Sequence, residues 1–181
     1  MAEIDDFAIQ LFDEAKRFLE KAQAGDVDAA GREAFLHASL NLAFCALEAH
    51  LNAIADDFAT LADLSLQDRS LMFERRIELV DGKFELSEQL QMYRLEDRLL
   101  FFGRRFSGEM IDTSARHWGE LKIALNLRND LTHPKGKLEV TIESVQRALA
   151  AILETLDILY RRVYRRGYPS LRRGLASNMS F

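Results

Sequence analysis

REAFLHASLNLAFCALEAHLNAIADDFATL, residues 32–61, decides the fold. Leu36, Leu40, Ala43, Leu47, Ile54 and Leu61 recur along it at helical spacing, and Phe35, Phe44, Leu51 and Phe58 widen the same stripe. Apolar residues three and four apart line one side of an α-helix, and so broad a stripe marks a helix enclosed by others. A helix from Arg32 to Leu61 is therefore expected at the centre of a bundle. Beside the stripe runs a narrow polar track, Asn41, Glu48 and Asn52, at i, i+7 and i+11. His50 falls nearer the outer face and is expected at the surface, while Cys45 stands on an apolar face.

The flanking segments supply the rest of the bundle. Ile4, Phe7, Leu11, Ala15, Phe18 and Ala22 alternate steps of three and four, which predicts an amphipathic first helix ended by Gly25 as its C-cap. Downstream, Ser65 with Asp68 reads as an N-cap for a short helix carrying Leu66, Leu71, Phe73, Ile77 and Val80. Asp81-Gly82 is a turn signal. Ser87 is expected to cap a further helix through Leu90, Tyr93, Leu99 and Phe106, followed by a loop from Ser107 to Ser114. Thr141 reads as the N-cap of the last helix, with Val140 and Val145 as a hydrophobic staple. Ile142, Val145, Leu149, Ile152, Leu156, Leu159 and Val163 form a heptad seam along it, fit to pack inside the bundle or against a second subunit. There is no sustained strand pattern, glycine-rich phosphate loop or internal repeat. The expected fold is an all-α, single-domain bundle of about five to six helices with two long central ones. Residues 1–166 make the helical domain and 167–181 a basic, flexible tail.

Composition narrows the function. A chain of 181 residues, 48% hydrophobic, suits one core. A single cysteine excludes a disulfide framework and fits a reducing cytoplasm. No apolar run approaches the length of a membrane span and the N-terminus is acidic, so no membrane association is expected. No His/Asp/Glu set has metal-ligand spacing, and no cofactor is implied; His117 beside Trp118 reads as packing or surface. Six arginines from Arg161 onward, with no acid among them, leave −11 of the net −5 on residues 1–160. An acidic body argues against a broad nucleic-acid footprint and restricts any RNA contact to a local basic cleft. The Arg-rich end also suits a helix C-terminus, where cations meet the negative end of the dipole.

One motif carries chemistry: Arg128-Asn129-Asp130-Leu131-Thr132-His133, at the end of a helical run through Trp118, Leu121 and Leu125. Pro134 follows and disfavours helical dihedrals before it, so the helix should stop near Thr132 or His133. Within an unbroken helix Arg128 and His133 would point about 140° apart. A stop at His133 frees the ring to swing back toward the guanidinium. A second Arg-x4-His match, Arg32 to His37, lacks both the Asn and the helix stop and is set aside. An imidazole with an ordinary pKa of about 6.5 serves as base or acid near neutrality. Arg128 can hold a phosphate bidentately, and Asn129 can position it. Glu48 is placed to meet Arg128 across the bundle and orient it. Lys135 and Lys137 form a basic turn beside His133, and the doublets Arg75-Arg76 and Arg104-Arg105 could border a nucleic-acid cleft.

The Arg-Asn-x-x-x-His pattern on the penultimate helix, with Ala46-Leu47-Glu48-Ala49-His50-Leu51-Asn52 on an earlier long helix, resembles the HEPN superfamily of nucleotide-binding and ribonuclease domains. The likeness spans Arg32 to Tyr164. It implies a metal-independent endoribonuclease acting on an RNA substrate through Arg128, Asn129 and His133, supported by Glu48 and Asp130, with RNA contacts from Lys135, Lys137, Arg104 and Arg105. It further implies a homodimer in which two motifs face each other, a 2′,3′-cyclic phosphate product, and a toxin-antitoxin or phage-defence setting with an antitoxin or regulatory protein as partner. The toxin branch paired with nucleotidyltransferase antitoxins carries a Tyr shortly after the His. Here Pro134, Lys135 and Gly136 follow instead, so regulation through that Tyr is not expected. The alternative is a non-catalytic module that binds a partner protein or nucleotide, with Arg128 a structural cation paired to Glu48 or Asp130 and His133 a helix cap.

Overall fold

The computed structural model describes residues 3–181, with side chains from Asp5 onward. Three helices exceed twenty residues: α1 (Glu3–Gln23), α2 (Ala29–Asp57) and, near the end of the chain, α6 (Ile142–Tyr164). Shorter helices α3 (Leu66–Phe73), α4 (Leu95–Ser107) and α5 (Arg116–Thr132) lie between. α2 is the centre: α1 packs along it, and α6, α5, α4 and α3 all touch it. Of the expected α1 stripe only Ala15 and Ala22 are buried; Leu11 and Phe18 are partly buried, Phe7 is 55% exposed, and Ile4 lies outside the described side chains, so the buried face is shifted by one position to run through Ala8, Phe12, Ala15, Leu19 and Ala22. Asp28 caps α2 by accepting the Gly31 N–H at 2.7 Å, so the helix starts three residues before Arg32. Gly25 follows α1 but does not take the left-handed conformation of a glycine C-cap.

Local signals at α3 and α6 hold. Ser65 and Asp68 exchange capping-box bonds of 3.0 Å each, and Thr141 and Ser144 do the same at 3.0 and 3.1 Å. Val145, Leu149, Ile152, Leu156 and Leu159 are buried inside the bundle, so the α6 seam is used within the chain. α2 is long and apolar enough on average over one 18-residue window to cross a membrane, although no uninterrupted apolar run there approaches that length, and 56% of the window is buried inside the protein.

The all-α expectation is corrected. Arg75–Val80 (β1) and Lys83–Leu90 (β2) form an antiparallel hairpin, and the fold is mostly helical rather than wholly so. The helix expected to run on to Val80 stops at Phe73, because Glu74 turns left-handed at φ 52°. Asp81 and Gly82, both at positive φ, make the tight reversal that twisted strands require. Ile77 pairs with Leu86 and Leu79 with Phe84, which gathers four apolar side chains on one face. Ile77 and Val80 are three apart, so the short segment fits helical and strand periods equally, and the turn decides. Ser87 is a strand residue, not a cap, and α4 begins at Leu95.

Two further placements differ from expectation. Residues 167–181, expected as a tail apart from the helical domain, lie against it: Tyr168 and Ser170 are buried, Arg173 bonds Asp13 of α1 at 3.0 and 3.2 Å, and Phe181 meets Phe18 edge-on. His50 is completely buried, whereas Cys45 is exposed. His50 Nε2 lies 3.0 Å from the Tyr168 hydroxyl and Nδ1 lies 3.1 Å from that of Tyr160, which in turn donates to Asp5. Because Tyr160 gives its one proton to Asp5, His50 must carry its own on Nδ1. His50 Nδ1 also lies 3.4 Å from Asp5 Oδ1, and this contact, together with the bond from Tyr160, holds the Asp5 carboxyl below its usual range against the opposing effect of burial. Burial pushes both tyrosine hydroxyls well above theirs, so they stay protonated.

A carboxylate whose pKa falls on folding stabilises the fold above its unfolded value, here 3.8, and loses that contribution as pH drops through the folded value. Asp5→Asn is therefore expected to lower stability at pH 7 by about 1–3 kcal/mol in urea denaturation. The gap to wild type should close as pH is taken below 3.8. Equal midpoints at pH 7 would remove the network from the account.

Candidate active site at the end of α5

α5 turns His117, Trp118, Leu121 and Ala124 into the core, where it packs on α6 and α2. It ends as Pro134 dictates. His133 occupies the C-cap at φ −126° and ψ 63°, its N–H bonding the Asn129 carbonyl at 2.9 Å. Thr132 Oγ1 donates to the Arg128 carbonyl at 2.8 Å and closes the last turn.

Arg128 crosses onto α2. Its Nη2 donates to Glu48 Oε1 at 3.1 Å, and its guanidinium lies 5.2 Å from the centroid of Phe44, one turn earlier on the same face. Glu48 thus meets Arg128 through one oxygen rather than two, and Nε has no acceptor among the described residues. The polar track on α2 holds a second arginine as well. Arg98 of α4, its side chain 3% exposed, donates to Asn52 Oδ1 at 2.9 Å, Glu74 Oε2 at 2.8 Å and the Met72 carbonyl at 3.2 Å. Burial lowers the Arg98 pKa, opposed by the charges of Glu74 and Glu48. A cation among the buried Leu95, Leu99 and Phe102 must find acceptors; that position in the α4 stripe was the available signal for a residue the motif reading passed over.

Between these elements lies a cleft of about 360 Å³, walled by Leu125, Asn126, Arg128 and Asn129 of α5, Glu48, Glu74, and residues 92–96 with Arg98. Arg94 bonds Glu96 at 2.6 Å on its rim, so three arginines and three glutamates line it as three pairs. Cleft and motif overlap without coinciding. Glu48, Arg128 and Asn129 come together there, whereas His133 is exposed beyond the helix end and does not line the cleft. Among the described residues its ring makes no hydrogen bond or ion pair. Asp130 is exposed and does not pair with Arg128. Lys135 and Lys137 are exposed in the following loop, with Lys137 on a separate concavity beside Glu33. Arg104 and Arg105 lie further along α4 on another concavity with Phe101, and Arg105 is tied to Asp63 at 2.8 Å. Arg75 and Arg76 belong to the hairpin, Arg75 paired with Glu88 at 2.9 Å.

His117 is buried with Nδ1 3.5 Å from Glu154. No cluster of three or more potential metal ligands occurs among the described residues. No protein-family model, curated protein or solved structure matches the chain.

The two arginines should respond differently to loss of a partner. The Glu48–Arg128 pair is partly exposed, so Glu48→Ala is expected to cost less than about 1 kcal/mol in urea denaturation. Arg98→Ala strands acceptors in a closed setting and is expected to cost about 3 kcal/mol or more. Equal costs would mean that burial does not separate the two sites.

Proposed function

We propose that the chain is a metal-independent endoribonuclease of HEPN type, in which Arg128 holds the scissile phosphate and His133 moves the proton. Arg128 stands half-buried on the wall of the cleft, and five residues on in the chain the exposed imidazole at the helix end makes no hydrogen bond among the described residues; those two side chains carry the reading. Glu48 takes one guanidinium nitrogen and fixes the group's plane, while the remaining N–H donors are left for phosphate oxygens. Asn129, exposed on the same wall, adds an amide donor. Lys135, Lys137 and Arg104 are exposed and reach flanking phosphates; Arg105, held by Asp63, contributes less.

The neutral imidazole of His133 removes the proton from a ribose 2′-hydroxyl. The freed oxygen attacks phosphorus, the bond to the 5′-oxygen breaks, and that oxygen takes a proton from a protonated imidazole. A second copy of the chain supplies this acid, so the working unit is a homodimer. Arg128 offsets the charge that builds on the phosphoryl oxygens. The products are a 2′,3′-cyclic phosphate and a 5′-hydroxyl, and no metal enters the reaction. A toxin or phage-defence role in the cytoplasm, with an antitoxin or regulatory protein as partner, fits an enzyme of this kind.

The seating of Arg128 between Glu48 and Phe44 favours one second reading, in which it is a structural cation and the domain binds a protein or nucleotide without cleaving RNA. Mixed-sequence single-stranded RNA incubated in EDTA decides between them. Wild type is expected to cut, and His133→Ala and Arg128→Ala to lose about a hundredfold or more while keeping the wild-type circular dichroism spectrum. Equal behaviour of all three proteins would leave the second reading in place.

A further inference from the structure

We propose that the β1–β2 hairpin joins two copies of this chain. The tip of β2 in one copy pairs antiparallel with the tip of β2 in the other, with Phe84 on the twofold axis and Lys83 opposite the other copy's Glu85. This surface goes beyond the ribonuclease reading and does not rest on it. The hairpin has α3 as its main neighbour and stands apart from the core. Leu79 and Phe84, paired on its apolar face, are 64% and 69% exposed. A two-stranded ribbon with one face open gains stability when strands are added to it.

The backbone shows which edge can accept another strand. Val80 and Lys83 flank the two-residue turn at Asp81-Gly82, and in such a hairpin that pair exchanges hydrogen bonds. Bonded and non-bonded pairs alternate along an antiparallel ladder. Leu79–Phe84 and Ile77–Leu86 are therefore non-bonded pairs, and Phe84 and Leu86 turn their N–H and C=O groups outward. The base of β1 is already engaged by α3, whose Ser70 Oγ donates to the Arg75 carbonyl at 2.6 Å. The base of β2 is interrupted: from Arg75–Leu90 to Ile77–Leu86 the register advances by two positions on β1 and four on β2, which places a bulge beyond Leu86. Residues 83–86 are left as a regular open edge. They lie at the tip, so two copies paired there carry their helices away in opposite directions.

Charge selects the register. Lys83 and Glu85 are exposed on the face opposite Phe84. The hairpin's own ion pairs are Arg75–Glu88 and Arg76–Glu78, and neither Lys83 nor Glu85 makes one among the described residues. Glu85 moreover stands directly across the ladder from Glu78, and like charges so placed destabilise a sheet. An axis at Phe84 sets Lys83 against Glu85 twice and brings the two Phe84 rings together at the centre. An axis one residue later would face Glu85 with Glu85, and one residue earlier Lys83 with Lys83. Charged edge strands ordinarily repel further strands. Here the alternation of sign makes the edge complementary to itself, as a twofold contact requires.

The test is sedimentation of the whole chain at low ionic strength, where exposed ion pairs count most, from about 1 μM to about 500 μM. A monomer–dimer equilibrium is expected. Lys83→Glu and Glu85→Lys each set like charges opposite each other at two places and should weaken the dimer about tenfold or more. The double exchange, Lys83→Glu with Glu85→Lys, rebuilds both pairs and should return the dissociation constant to within about threefold of wild type. Hydrogen exchange on wild type needs no variant: the Phe84 and Leu86 amides should be protected at the high concentration and open at the low one. A monomer throughout, a dimer that either single reversal leaves unchanged, a double exchange that restores nothing, or amides that ignore concentration overturns the proposal. Metal-free RNA cutting by a chain that dimerises through another surface would sink this proposal alone. A hairpin dimer that cuts no RNA would sink the ribonuclease reading alone.

Discussion

Polar side chains that α2 turns toward its neighbours are held there by partners on other elements. That constraint organises the molecule. Ser39 donates to the Ala15 carbonyl of α1, Glu48 receives Arg128 of α5, Asn52 receives Arg98 of α4, and His50 is met by Tyr160 of α6 and Tyr168 of the tail. Each such bond ties a different element to the same rod, so the polar residues set the orientation of what the apolar stripe merely gathers. For the buried Ser39 and His50, the cost of an unpaired polar group in the interior exceeds the gain of an average contact, so their pairings specify the arrangement.

Features fixed by neighbouring residues were legible in the sequence. The caps at Ser65 and Thr141, the stop of α5 at Pro134 and the seam of α6 each depend on spacings of a few positions. The Glu48–Arg128 contact was also legible, because the polar track and the motif were each visible and only one crossing was needed. His50 was not: its partners lie 110 and 118 residues away, and a two-sided burial of α2 turns an apparent outer face inward. The hairpin was hidden by a short segment whose apolar positions satisfy both periods. Arg98 and Glu74 escaped notice because a lone arginine in an apolar stripe reads as an edge residue until its acceptors are seen.

Electrostatics shapes what this site can do. With −11 on residues 1–160 there is little long-range attraction for RNA, and the cleft itself is balanced, three arginines against three glutamates. Recognition on such a surface relies on short-range hydrogen bonding and stacking rather than on a broad positive field. A single-oxygen contact leaves Arg128 oriented but not saturated, a compromise between a stable resting state and an available cation. The exposed imidazole at the helix end likewise makes no hydrogen bond or ion pair among the described residues, while the lysines of the following loop provide local positive charge.

The central claim is that this helix end cleaves RNA through the substrate's own 2′-hydroxyl. Mass analysis of oligonucleotide products formed in EDTA tests it most directly, comparing an all-ribose strand with one carrying a single 2′-deoxy sugar at the mapped cut site. The account predicts 2′,3′-cyclic phosphate and 5′-hydroxyl ends from the first strand, and no cut at the substituted position in the second. Cleavage that persists at the deoxy position, or products ending in a 5′-phosphate, would contradict it.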